Sequence, residues 1–366
     1  MGPFGLPALA LSAMLWSALP PEPADVLQVP TALLDDARNA VAHQALSPER
    51  RLELLIDFVA ERDQFGFRYR ADATRTVAGT YASREGHCLS YTLLFLGLSR
   101  SLGLDAHARE VRVPPAWQDE GQILFDVGHV NVGVDTPSRH RTVDFDPDLL
   151  RSHRLAAPWR GRPIPDERAL AHFYNNRAAE LLSQRQTRIA RLWVERALEM
   201  DPGFVPALNT QGVIERRLGH LTAARESFEA ALELNPESPS VLFNLIGLAE
   251  QTGQGAAAEA YRSQLHALHP GDPWFRWQLG RHYARQGLAS EALRHYRRAF
   301  ELDARQPRFA DTLIAQLLVM DRPTEASQVR AHAERFGLVS DTPILAKAIK
   351  KSVSDAQPRS EAALKH

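Results

Sequence analysis

The feature of this sequence that most restricts its fold is a 34-residue period in the C-terminal half. The triplets Met200-Asp201-Pro202, Leu234-Asn235-Pro236 and Leu268-His269-Pro270 recur 34 residues apart, and Leu302-Asp303-Ala304 keeps the phase without the proline. Small residues repeat at the same spacing in two columns, which are Ala190, Ala224, Ala258, Ala292 and Ala326, and Ala197, Ala231, Leu265, Ala299 and Ala333. A fixed period of this length predicts stacked copies of one supersecondary unit.

The residue types at the repeating positions predict two antiparallel helices per unit. Small residues let the helices approach closely, an aromatic such as Phe228 or Tyr296 fills the gap to the next pair, and proline ends the second helix. This pattern resembles the tetratricopeptide repeat (TPR). We assign repeats to residues 171–204, 205–238, 239–272 and 273–306, with a degenerate fifth at 307–338.

The TPR resemblance implies an all-α superhelix over residues 165–338, with a groove that binds a protein or peptide partner. Packing against the preceding domain, or self-association, is the alternative use of such a stack. The tail at residues 339–366 has one apolar patch and then becomes polar. We expect a capping helix there, followed by a disordered end.

Residues 30–160 have a different pattern of apolar residues, in which helical spacing is followed by the alternation typical of strands. Helices are predicted at 32–41, at 48–61 with Ser47 as N-cap, and from Cys88 to Gly103. Strands are predicted at residues 65–69, 108–113, 129–134 and 141–147. A helix followed by antiparallel strands is typical of an α+β domain.

Cys88 is the one cysteine of the chain, so no disulfide can form within it and no zinc site can use two of its cysteines. The residue follows Gly86 and lies in the first turn of the predicted helix. The positive end of a helix favours a thiolate over a thiol, which makes Cys88 a candidate nucleophile. The alternative is a small buried core residue, the common position of a free cysteine.

Cys88, His129 and Asp144 together form a candidate catalytic set. Cys88 would attack as a thiolate, His129 would act first as base and then as acid, and Asp144 would orient the imidazole. Asp146 lies two residues further on the same strand face and is the rival for the position of Asp144. His87 and Cys88 point about 100° apart on a helix, so they seldom share a metal. We expect no metal site and no cofactor.

Three segments of this region resemble the bacterial transglutaminase-like superfamily of papain-like thiol enzymes. They are the run TVAGTYASREGHCLS at residues 76–90, the tripeptide Gly128-His129-Val130, and Val143-Asp144-Phe145-Asp146. The resemblance covers about residues 45–155. It implies a papain-like fold with Cys88 as nucleophile, His129 as base and Asp144 as orienting acid. Many members have an aromatic residue after the histidine, where this chain has Val130.

Two functions remain open from the sequence. The first is a thiol-dependent enzyme that transfers the acyl group of a peptide or protein amide to water or to an amine, with the TPR repeats recruiting a protein partner. The alternative is a non-catalytic TPR interaction scaffold with a papain-like fold. A net charge of −1 without an aromatic-basic motif argues against nucleic acid as a partner.

Residues 3–19 form an apolar, uncharged run, slightly shorter than the roughly 20 residues that span a bilayer. We therefore predict a signal peptide at residues 1–24 and export, to the periplasm in a bacterium. No basic residue precedes the run, and Pro3 and Pro7 interrupt it. A membrane anchor and a cytoplasmic protein are accordingly the alternatives, and membrane contact is expected only if the segment stays uncleaved.

Overall fold

The computed structural model describes residues 19–41, 47–60, 65–66, 68–70, 73–111, 117–120, 123–126, 129–145, 161–268 and 270–335. The predicted signal peptide lies mostly outside these residues, and the tail at 339–366 lies wholly outside them. Contacts divide the chain into two compact units. The first is Met1–Val113 with Val127–Pro236, and the second is Pro114–Asp126 with Glu237–His366. Within the described ranges, no helix has the length and apolar character needed to cross a membrane.

The N-terminal part of the first unit mixes helices and strands. Its elements are α1 (Pro23–Leu27), α2 (Thr31–Val41), α3 (Pro48–Ala60), β1 (Arg68–Tyr69), α4 (Val77–Ser83), β2 (Glu85–Gly86), α5 (Cys88–Ser101) and β3 (Asp105–Val111). A hairpin of β4 (Trp117–Glu120) and β5 (Ile123–Asp126) belongs to the second unit. The chain then returns to the first unit with β6 (His129–Asp135), β7 (His140–Val143) and β8 (Gly161–Pro163).

An antiparallel sheet in the order β7-β6-β3-β8 forms one layer of the first unit. Helix α5 packs on β3 and β6 and also contacts α2, α3 and α4. Because its neighbours surround it, α5 is apolar on nearly all sides, and ten of its residues are buried. The Thr92 hydroxyl donates to the Val130 carbonyl at 3.0 Å and joins the helix directly to β6.

The observed elements correct several predicted boundaries. The strand predicted at residues 65–69 is limited to Arg68–Tyr69, and the one predicted at 108–113 begins already at Asp105. Asp105 is a strand residue because it pairs with Asp135 across the sheet, which no local pattern reveals. Strand β7 ends at Val143, so Asp144 lies directly after the strand and not within it. The short helix α4, which Thr76 caps by accepting from Gly79 N, was not predicted.

Ten helices in five antiparallel pairs make up the C-terminal part of the described chain. They are α6 (Asp166–Ser183) with α7 (Thr187–Met200), α8 (Val205–Leu218) with α9 (Leu221–Leu234), α10 (Pro239–Gln251) with α11 (Gly255–Ala267), α12 (Pro273–Arg285) with α13 (Ala289–Leu302), and α14 (Pro307–Val319) with α15 (Pro323–Glu334). The first two pairs lie in the first unit and the other three in the second. The fifth, degenerate repeat contains a complete pair.

The two repeating columns lie on the second helix of each pair. All ten of their members are at most 3% exposed. A Cβ added to Gly280 on α12 would lie 2.5 Å from Cδ1 of the Tyr296 ring on α13, so the aromatic occupies the space that glycine leaves open. Gly212 and Phe228 repeat this contact in the pair α8–α9.

Helix α6 is unusually buried because it packs on more than its TPR neighbours. It contacts β3 as well as α7 and α8. His172 Nε2 lies 3.0 Å from Glu110 Oε1 of β3, and Arg168 bridges Glu110 and Asp201. The Tyr174 hydroxyl donates to the Pro21 carbonyl at 2.7 Å. The first repeat is therefore packed into the same unit as the α+β elements.

Replacing Gly280 by alanine should destabilise the second unit by about 1–3 kcal/mol, since the new methyl group would overlap the Tyr296 ring. The measurement is urea unfolding followed by circular dichroism. Gly255→Ala is the matched control, because a Cβ there meets nothing within 4 Å. Equal shifts of the unfolding midpoint in the two variants would contradict this account of the packing.

Candidate functional site

The chain before Cys88 is held against the first turn of α5. A Cβ on Gly86 would lie 2.7 Å from Ser90 Cβ, so only glycine lets the strand β2 run this close to the helix. The Ser90 hydroxyl donates to the Ala73 carbonyl at 3.0 Å and accepts from Arg75 N at 2.9 Å. These contacts define where the helix begins and place Cys88 as its first residue.

His87 is the N-cap of α5 and is buried. Its Nδ1 accepts from Leu89 N at 3.0 Å and from Ser90 N at 3.3 Å. A nitrogen that accepts two N–H groups must carry a lone pair, so the ring is neutral and its proton is on Nε2. His87 therefore satisfies two of the free N–H groups at the helix start.

The other side of His87 begins a buried chain of hydrogen bonds that ends on α6. Nε2 lies 2.6 Å from the Thr74 hydroxyl, which donates to Glu180 Oε1 at 2.5 Å. The Thr74 backbone N–H donates to the same carboxylate oxygen at 2.7 Å, and Arg177 donates to Glu180 Oε2 at 2.7 Å. The cap of the cysteine-bearing helix thus depends on the first TPR helix.

His129 is held by a carboxylate and an amide on neighbouring chain segments. Its Nε2 lies 2.6 Å from Asp144 Oδ2, and Asn131 Nδ2 donates to the same oxygen at 3.0 Å. His129 and Asn131 are each 4% exposed. Alternation along β6 places both on one face, as predicted. The role of Asn131 as a second donor to Asp144 was missed, although its spacing of two from His129 was a usable signal.

The three candidate residues come together in the first unit. The Cys88 thiol and the His129 imidazole interact, and each shifts the pKa of the other. Because Asp144 takes Nε2 of His129, Nδ1 is the nitrogen that faces the thiol. The imidazole therefore lies between the carboxylate and the sulfur. The rival Asp146 lies outside the described residues.

The charges of this group favour an ion pair. Burial by itself raises the pKa of the Cys88 thiol, but the neighbouring imidazoles, His129 first, lower that pKa from 9.0 to about 7. Burial by itself lowers the pKa of His129, but its hydrogen bonds with Asp144 and Cys88 raise it from 6.5 to about 10. Between these values the pair is thiolate and imidazolium. Cys88 as a residue is partly exposed.

A second polar cluster, on another part of the sheet, was not anticipated. His107, Asp135 and His140 place one ligand-type atom each within 4.8 Å of one another. His140 Nδ1 lies 2.7 Å from Asp135 Oδ1, and its Nε2 lies 2.9 Å from the Arg109 guanidinium. A guanidinium can only donate, so Nε2 accepts and Nδ1–H donates to Asp135. A metal on Nδ1 would need the proton on Nε2, facing Arg109, so these contacts favour a hydrogen-bonded polar cluster over a metal site.

A family model described as tetratricopeptide repeat matches residues 175–239 and 209–273. The chain contains TPR repeats. The match covers part of α6 and all of α7 to α11. The remaining helices up to α15 continue the same 34-residue period. The α+β region at residues 30–160 has no part in that match, so the transglutaminase-like interpretation rests on the residues of the site alone.

Solved structures resemble part of this chain at low identity. YrrB, described as a TPR protein with an unusual peptide-binding site, is 23% identical, with 50% of this chain and 92% of that chain covered and a TM-score of 0.28. MamA from Desulfovibrio magneticus RS-1 is 17% identical, with 46% and 94% covered and a TM-score of 0.29. PilF of Pseudomonas aeruginosa is 17% identical, with 54% and 96% covered and a TM-score of 0.33. No curated protein matches the chain.

Thr74→Val should destabilise the first unit by about 1–3 kcal/mol, because it leaves the buried N–H of His87 and an oxygen of Glu180 without the linking hydroxyl. Urea unfolding measures the effect. Thr74→Ser keeps the hydroxyl and is the control. If valine and serine at this position give the same unfolding midpoint, the hydrogen-bond chain does not stabilise the cap.

Proposed function

We propose that this protein is an interaction protein that binds a protein or peptide partner through its TPR repeats. The observation that carries this proposal is the series of five helix pairs in one 34-residue phase, together with the family match at residues 175–273. Stacked helix pairs present an extended surface of side chains from successive repeats, and this architecture is used for peptide and protein recognition.

A second function is supported by the thiol site. We infer that the α+β region is a papain-like, transglutaminase-like domain that performs thiol-dependent acyl transfer on the amide of a peptide or protein. The observation in favour is the series Asp144–His129–Cys88, with a thiol pKa of about 7 on a partly exposed residue. A scaffold has no need of a thiolate–imidazolium pair.

The chemistry of this second function follows from the protons in the site. The Cys88 thiolate attacks the amide carbonyl, the C–N bond breaks, and the amine leaves with the proton of His129 Nδ1, which forms a thioester on Cys88. His129, now neutral, takes a proton from water or from an acceptor amine, which attacks the thioester and releases Cys88. Asp144 and Asn131 hold the ring with Nε2–H directed away from the sulfur.

The two functions are compatible because the first repeat and the thiol site share contacts. Glu180 of α6 and Thr74 support the His87 cap next to Cys88. A partner held by the repeats would then be a substrate or a regulator of the thiol domain. Export, as indicated by the apolar residues 3–19, remains part of this proposal.

Cys88 should react with iodoacetamide along a pH profile whose midpoint lies near 7, since the thiolate is present above that pKa and lost below it. His129→Ala removes the imidazolium that lowers the thiol pKa against the effect of burial. The midpoint should therefore move above pH 8.5, and the alkylation rate at pH 7 should fall about tenfold or more. Mass spectrometry of the labelled chain measures the rate, and one cysteine makes the labelling unambiguous.

His140→Ala is the control for this experiment, because His140 lies on the same sheet but pairs with Asp135 and Arg109. Its profile should match the wild type. Identical profiles for the wild type and His129→Ala would refute the proposed acyl-transfer function, and only the proposed TPR scaffold function would stand.

Partner binding is tested by selecting peptides from a random display library against the full chain. We expect a shared motif among the enriched peptides, with binding of the synthetic peptide measurable by calorimetry. Selection that enriches no motif over several rounds would count against peptide recognition by the repeats.

A further inference from the structure

The second unit contains an open pocket of about 620 Å³ with a strongly basic lining. It is formed by residues of α11, α12 and α13 and by the turn before α15. Five arginines line it, which are Arg276, Arg294, Arg297, Arg298 and Arg322, whereas Glu301 is the one carboxylate in the lining. The near-neutral charge of the whole chain conceals this local excess.

Four of the five arginines are paired with glutamates of the same unit. Arg294 pairs with Glu291, and Arg298 pairs with Glu301 at 3.2 Å. Arg297 and Arg322 share Glu325. These four guanidinium groups therefore already have carboxylate partners within the chain.

Arg276 differs from the other four. Among the described residues it has no carboxylate partner: one terminal nitrogen donates to the His266 carbonyl at 3.0 Å, and its buried Nε has no hydrogen-bond partner. Burial and the positive charges of Arg298 and Arg294 lower its pKa. A half-buried cation among like charges is costly until an anion joins it.

His295 provides a second unsatisfied group in the same wall. It is 3% exposed, it stacks on the Tyr283 ring, and its Nε2 has no partner. Burial and the nearby positive groups of His266, Arg294 and Arg276 lower its pKa to about 3, so the ring is neutral at physiological pH. A neutral imidazole can present one N–H to a ligand.

We propose that this pocket binds carboxylate groups of an acidic peptide segment, with Arg276 and His295 as the buried donors and Arg294 and Arg298 at the rim. The inference rests on the proposed TPR function and specifies the chemistry of its partner. Bidentate guanidinium–carboxylate pairing supplies the recognition, and the cavity is larger than a single ion needs. Several acidic side chains of one peptide can therefore enter together.

We assign the acidic segment to another protein on the grounds of charge complementarity. The undescribed C-terminal residues of this chain carry more basic than acidic groups, namely Lys347, Lys350, Lys351, Arg359 and Lys365 against Asp341, Asp355 and Glu361. The N-terminal residues 1–18 carry no charged side chain. Neither terminal segment complements a basic pocket.

The test is fluorescence anisotropy with the full chain and a labelled ten-residue peptide rich in Asp and Glu. Arg276→Gln should weaken binding about tenfold or more. Arg262→Gln removes the same charge from the same unit outside the pocket, where Arg262 pairs with Glu250 and Glu259, and it should leave binding within about twofold. The matching Gln/Asn peptide should not bind. Equal weakening by Arg276→Gln and Arg262→Gln would overturn the proposal.

Stability gives an independent readout of the same pocket. Removing an unpaired, half-buried charge should leave the urea midpoint of Arg276→Gln unchanged or higher, so weaker binding cannot be ascribed to unfolding. A single-stranded oligonucleotide that binds more tightly than the acidic peptide, and loses binding in Arg276→Gln, would assign the pocket to nucleic acid and overturn the inference.

The display experiment separates the two levels of inference. Enrichment of neutral or basic peptides whose binding is unaffected by Arg276→Gln would refute the acidic pocket while peptide recognition by the repeats stands. Enrichment of no motif would refute the proposed function itself.

Discussion

The chain of hydrogen bonds from His87 through Thr74 to Glu180 is the contact on which the site in the first unit depends. It lies in a buried region, where an unsatisfied donor or acceptor is costly, so each member is held in place by the others. Its ends are the cap of the cysteine-bearing helix and the first TPR helix. A segment of repeat architecture therefore takes part in shaping the thiol site, and the TPR repeats are more than an appended module.

The same physical problem, a buried polar or charged group, is solved differently in the two units. Around Cys88 the charged groups face one another: the thiol faces the imidazole of His129, His129 contacts Asp144, and Asn131 donates to the same carboxylate. Around Arg276 the described residues supply no anion, and a neighbouring buried imidazole nitrogen is also unsatisfied. In the first arrangement the opposite charges are supplied within the chain. In the second, the described residues leave a cation and an imidazole nitrogen for which we have proposed an acidic ligand.

Prediction from the sequence succeeded where the signal was local and repeated. The helices after Ser47 and after Cys88 follow from apolar spacing, and the five helix pairs follow from the period. Strand limits were less accurate, because Asp105 is a strand residue through its pairing with Asp135, and β7 ends where its pairing with β6 ends. The set Cys88, His129 and Asp144 was predicted from order and spacing, and the structure brings the three together in the first unit, with His129 Nε2 2.6 Å from Asp144. Asn131 was missed although it shares a strand face with His129. Glu180 was missed because it lies 106 residues from its partner Thr74.

The sequence by itself determined the repeat architecture, the start of the cysteine-bearing helix and the identity of three candidate site residues. These depend on spacing along one segment, where close helix packing demands small residues and a helix start demands a cap. Only the tertiary structure decided that His87 is a neutral cap supported by the first repeat and that Asn131 donates to Asp144. It also decided that Arg276 lies half-buried among other arginines, with no counter-ion among the described residues. These properties depend on side chains that are distant in sequence but exclude water from around a polar group. Which side chains do so is decided by the packing of the whole unit.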